Sequence, residues 1–79
     1  MNNEDNNYRG HVIIPSASGP SAGPWLGNYS VWRLEDDGRY TEVLEGFVQE
    51  VFSNIDSATT AATNEARIKL DEYLGVLGP

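Results

Sequence analysis

The stretch NYSVWRLEDDGRYTEVLEGFVQEVF (28–52) decides the fold. It opens with NYSVWRL (28–34), in which Tyr29 and Val31 fall on one side of an extended chain and Trp32 and Leu34 on the other. EDDGR (35–39) follows, and Asp37-Gly38 is a strong hairpin signal because a primed two-residue turn needs positive φ at its centre. YTEVLEGFVQEVF (40–52) then reads as a returning strand. It is too long for one flat strand, and Gly46 in its middle marks a bulge, a bend or a second turn.

Upstream, YRGHVIIP (8–15) predicts a first strand, with β-branched Val12, Ile13 and Ile14 and with Pro15 as its stop. Positions 15–23 are all Pro, Ser, Ala or Gly. A phosphate loop would need Gly-Lys-Ser/Thr opening a helix, and a dinucleotide fingerprint would need G-x-G-x-x-G entering one. Neither pattern is present, and a strand follows. The stretch therefore reads as a long strand connection, with a mobile recognition loop anchored on Trp25 as the rival.

Downstream, Ser53 or Asn54 can cap a helix. Ile55, Ala58, Ala62, Ala66, Leu70, Tyr73, Leu74 and Leu77 make one stripe at helical spacing. Glu65–Lys69 and Arg67–Asp71 are oppositely charged i,i+4 pairs, and Gly75 or Gly78 ends the helix. The expected architecture is α+β: a three-stranded antiparallel sheet packed on one C-terminal helix, in the order β-β-β-α. Residues 1–7 are expected to be a disordered polar tail and 8–79 a single domain.

The 79 residues carry a net charge of −7 and no cysteine. Thiolate chemistry, disulfides and the usual structural zinc sites are thereby excluded. Between 35 and 56, Glu35, Asp36, Asp37, Glu42, Glu45, Glu50 and Asp56 face Arg39 alone, a net −6. Nucleic-acid binders need the opposite sign, so no nucleic-acid partner is expected. No apolar run could span a bilayer, and a cytoplasmic location is expected.

His11 is the single histidine, with Ser16, Ser18 and Ser21 nearby in sequence. A nucleophile–base pair on these residues would lack an oxyanion donor. LEDDG (34–38) lacks the alternating oxygens of a calcium loop. No catalytic, cofactor-binding or metal-ligating residues are assigned, and the chain is not expected to be an enzyme. One helix covers only one face of a sheet, so the other face is the expected place for a partner. The candidate contact residues are Trp25, Tyr29, Trp32, Glu35, Asp36, Asp37, Glu42 and Glu45.

Two resemblances follow from these pieces. YRG (8–10), a Trp-bearing second strand, GF (46–47) and SATTAATNEA (57–66) together resemble the plant ethylene-response-type DNA-binding domain and the amino-terminal domains of phage integrases. That likeness implies three strands and a helix, with DNA read by a basic sheet. This third strand carries Glu42, Glu45 and Glu50 instead. YSVWR, GFVQEVF and SNIDSATTAATNEARIKLDEYL also look like small uncharacterised proteobacterial proteins, such as those of Burkholderia relatives. This second likeness implies the same fold. A looser likeness to HicB-type antitoxins rests on the strand–helix tail.

The expected function is a non-enzymatic protein–protein interaction module, with an unidentified protein or a second copy as partner. It would act through the uncovered sheet face and the acidic hairpin 35–50. One alternative is an acidic nucleic-acid mimic or antitoxin-like inhibitor of a basic protein. Another is small-ligand binding under the 16–24 loop, near Trp25 and His11.

Overall fold

A computed structural model describes residues 7–75. Residues 1–6 of the expected tail, and Leu77 and Gly78, lie outside the described residues. The elements are β1 (Asn7–Tyr8), β2 (His11–Ser18), β3 (Trp25–Leu34), β4 (Tyr40–Phe52) and α1 (Ile55–Leu74). The strands form one antiparallel meander in the order β1-β2-β3-β4.

Among the described residues the sheet has four strands, not three. Residues 8–15 do not run as one strand: Arg9 and Gly10, at φ 55° and 78°, turn the chain between paired Tyr8 and His11. Two consecutive positive φ values make this a primed hairpin turn. What holds this strand is remote in sequence. The Tyr8 hydroxyl donates to both Asp71 carboxylate oxygens at 3.1 and 3.0 Å, and the Arg67 guanidinium lies 5.5 Å from the Tyr8 ring centroid. Arg9 adds an ion pair to Asp71 at 3.6 Å.

Pro15 does not stop β2. It pairs with Tyr29, and the strand continues to Ser18. Among the described residues, β1 pairs only with His11 and Val12, so Pro15 has a described neighbour on the β3 side alone. By strand alternation its nitrogen is directed to the same side as that of His11, away from β3, so the β2–β3 ladder loses no bond. The connection to β3 shrinks to 19–24, with Gly23 N–H donating to Pro20 C=O at 2.8 Å and a cis Gly23-Pro24 bond.

The EDDGR turn is a hairpin, but not a primed one. Gly38 N–H donates to Glu35 C=O at 3.0 Å, and within the turn only Gly38 has positive φ, at 90°. This is a type I turn followed by a left-handed glycine, the usual solution for a longer hairpin loop.

Asn54, not Ser53, caps α1. Its Oδ1 accepts from Ser57 N–H at 2.7 Å, and Gly75 closes the helix in the left-handed conformation. Asn54→Ala is expected to cost about 1 kcal/mol. A thermal melt should register this as a fall of roughly 4–8 °C for a domain of this size.

The core lies between α1 and one face of the sheet. Ile13, Val31 and Tyr29 meet Ala62, Ala66 and Leu70. Helix burial follows a strict four-residue step, Ala58, Ala62, Ala66 and Leu70. The flanking stripe members Ile55 and Tyr73 stay about half exposed, because small residues bring the helix axis close along one narrow seam. At Gly27 the approach is closest: a Cβ there would collide with the Ala58 carbonyl oxygen and crowd the Ala62 methyl.

Candidate functional site: the uncovered face of the sheet

Strand parity assigns the two faces. His11, Ile13, Tyr29 and Val31 turn toward α1, so their neighbours turn away. On the uncovered side, Val12 sits opposite Trp32, Ile14 opposite Ser30, Leu34 opposite Tyr40 and Asn28 opposite Phe47. Ile14, Leu34, Tyr40, Phe47 and Val51 are each half exposed or more. Val12, Ile14, Trp32 and Tyr40 line an apolar groove of about 230 Å³.

β4 is irregular where it matters. Val31 pairs with Leu44 but Trp32 pairs with Glu42, so Val43 is an extra residue. Val43 and Leu44 both pack against the core. Without this bulge, Glu42 and Glu45 would point to opposite faces, since they are three residues apart. With it, Glu42 stands opposite Trp32 and Glu45 opposite Ser30, both on the uncovered face. A second irregularity lies opposite Gly27, between the Leu26 and Asn28 pairs.

Trp32 is held in place. Its indole Nε1–H donates to Ser30 Oγ at 2.9 Å, which lays the ring along β3. At the hairpin tip, Arg33 donates to Glu35 at 2.9 Å and Arg39 to Asp37 at 2.8 Å. Hydrogen bonds from Thr41 and then from Arg33 hold the Glu35 carboxyl below its usual range. Asp36, Glu42 and Glu45 form no ion pair among the described residues.

The structure thus gathers Trp32, Glu42 and Glu45 on one face, with Glu35, Asp36 and Asp37 at the adjoining tip. It does not gather Trp25 or Tyr29 with them. Trp25 follows the parity of the covered face and pairs with Phe52 at the far end of β3. Tyr29 is 8% exposed and packs in the core. Val12, Ile14, Leu34, Tyr40, Phe47 and Val51 complete the face. Alternation joins Val12 to Ile14 in β2 and Leu34 to Trp32 in β3, but Tyr40 and Phe47, of opposite parity, share the face only through the Val43 bulge.

Gly46 is neither a turn nor the bulged residue. It pairs with Tyr29, and a Cβ on it would meet the Tyr29 phenol. The glycine gives the aromatic ring a cross-strand seat. Tyr29 lines a broad depression of about 630 Å³ together with Glu50, Glu65 and Lys69. Burial, then the charges of Glu65 and Glu72, push the Tyr29 phenol above its ordinary value. A folded-state value raised in this way favours folding fully below the unfolded value, and the advantage is lost as pH rises through the folded value. Stability should therefore fall above pH about 10. Tyr29→Phe should flatten that alkaline limb in urea titrations.

His11 turns to the covered face, 7% exposed, with Nδ1 2.9 Å from Arg9 C=O. Ser16 and Ser18 lie on the opposite face by parity, so strand geometry separates these serines from the imidazole. His11 and Trp25 also sit near opposite ends of β3, pairing with Arg33 and Phe52 respectively. Among the described residues, no three His, Asp or Glu side chains gather to hold a metal ion. No helix there is long and apolar enough to cross a membrane.

Compared with protein-family models, curated proteins and solved structures, the chain matches none.

Proposed function

We propose that the chain is a non-enzymatic protein–protein interaction module acting through the uncovered sheet face and the adjoining acidic hairpin. One observation carries this reading: a face on which half-exposed Ile14, Tyr40 and Phe47 surround a partly buried Trp32 and are interleaved with Glu42 and Glu45. An apolar patch rimmed by polar groups is a frequent feature of protein contact surfaces. Aromatic residues dominate the energy of such contacts. The mixing of apolar and acidic groups favours a mixed contact over a purely electrostatic one.

The test is photocrosslinking in cells with benzoylphenylalanine placed at Phe47 or, as a control, at Ile68 on the outer side of α1. Both positions are about half exposed. Defined adducts from position 47 and none from 68 are expected. Equal labelling from both, or none from either, overturns the reading. Sedimentation equilibrium then separates self-association from a foreign partner.

A further inference from the structure

We infer that the uncovered face receives a foreign segment carrying an apolar side chain beside a cationic one, with the cation over Trp32 between Glu42 and Glu45. The inference rests on the interaction reading above and adds the partner's chemistry.

The geometry comes from the fixed indole. Because Trp32 Nε1–H is tied to Ser30 Oγ, the ring spans strand positions 32 and 30. Its β2 neighbours at those two positions are Val12 and Ile14, and its β4 neighbours are Glu42 and Glu45. The indole is a rib with an apolar row on one side and a carboxylate row on the other. Tyr40 completes the apolar groove, whose volume of about 230 Å³ suits one aliphatic side chain. An aromatic face flanked by two unpaired carboxylates attracts a guanidinium or ammonium through both the ring quadrupole and Coulomb attraction.

Charge decides against a second copy as the occupant. No arginine or lysine follows the parity of this face among the described residues; Arg33 pairs across His11 and Thr41 on the other side. Face-to-face self-association would set Glu42 and Glu45 against identical acids with no base to balance them. A partner that brings its own cation removes that conflict.

The chain contains two tryptophans, so Trp25→Phe leaves Trp32 as the only indole reporter. The probe is a short synthetic peptide alternating leucine and arginine, compared with the same peptide carrying citrulline, which is isosteric and neutral. The arginine peptide should change Trp32 fluorescence saturably and bind about tenfold more tightly than the citrulline peptide. Glu42→Gln with Glu45→Gln should erase that difference. Glu50→Gln with Asp56→Asn removes the same charge elsewhere and should leave it in place. If both double variants weaken binding equally, the attraction is to net charge alone and the inference falls. If citrulline binds as well as arginine and Trp32→Ala abolishes both, the cationic occupant is wrong while the face remains a contact surface. No response to either peptide also overturns the inference, and crosslinking at Phe47 then judges the interaction reading independently.

Discussion

Valine in place of Gly27 should cost about 3 kcal/mol, at the upper end of what overpacking usually exacts. The reason is the absence of anywhere to yield. A Cβ at 27 meets the Ala58 carbonyl oxygen and the Ala62 methyl, and the first of these is helix backbone. Relief requires α1 to lift off β3, which opens the seam along its whole length. A domain of this size holds only about 3–5 kcal/mol in total, so the variant should keep roughly 0–2 kcal/mol and be up to about half unfolded at room temperature. Urea titration followed by far-ultraviolet circular dichroism reads the effect. Leu34→Val, on the uncovered face of the same strand and 53% exposed, is the matched control and should shift the midpoint little. A Gly27→Val protein with an unchanged midpoint would refute the close-packed seam.

Leu70→Ala should be the most damaging truncation on the helix, by about 2–5 kcal/mol. The other buried helix residues are alanines, so Leu70 is the single large side chain that α1 inserts fully into the core. Leu74→Ala and Ile68→Ala remove similar volumes from sites 38% and 52% exposed, and each should cost well under half as much. The loss at 70 should also reach β1. Asp71 is the next residue, and it receives the Tyr8 hydroxyl and pairs with Arg9. Amide exchange at His11, which pairs with Tyr8 across the turn, should quicken in Leu70→Ala beyond its rate in Leu74→Ala. Equal exchange in the two variants would show that the β1 clasp does not depend on how the helix is seated.

The parts of this fold that were legible in the sequence are those governed by local rules. The opposite parity of Tyr29 and Trp32, the Asn54 cap and the Gly75 stop all follow from residues within a few positions of one another. The parts that were not legible depend on partners far along the chain. β1 exists because Tyr8 meets Asp71, a contact across 63 residues, and no local propensity marks Asn7-Tyr8 as a strand. Pro15 reads as a terminator until strand alternation aims its nitrogen away from β3, so that the ladder continues to Ser18. Tyr29 looks like a contact residue until its parity places it under α1, in the seat that Gly46 provides. For the candidate site, Trp32 and the acidic tip could be read from the sequence. The alignment of Glu42 with Glu45 could not, because it depends on a bulge at Val43 that strict alternation does not foresee.

The clasp between Tyr8 and Asp71 also bears on the order in which the molecule assembles. The β2–β3 and β3–β4 hairpins close over short connections, at 19–24 and 35–39, and such local pairings form early. The seam of α1 against β3 must wait for the sheet that it covers. The clasp joins the first strand to the last turns of the helix, so Tyr8 has no Asp71 to meet until α1 is seated on the sheet. It should form last on folding and open first under native conditions, which makes β1 the slowest-arriving and earliest-leaving part of the sheet.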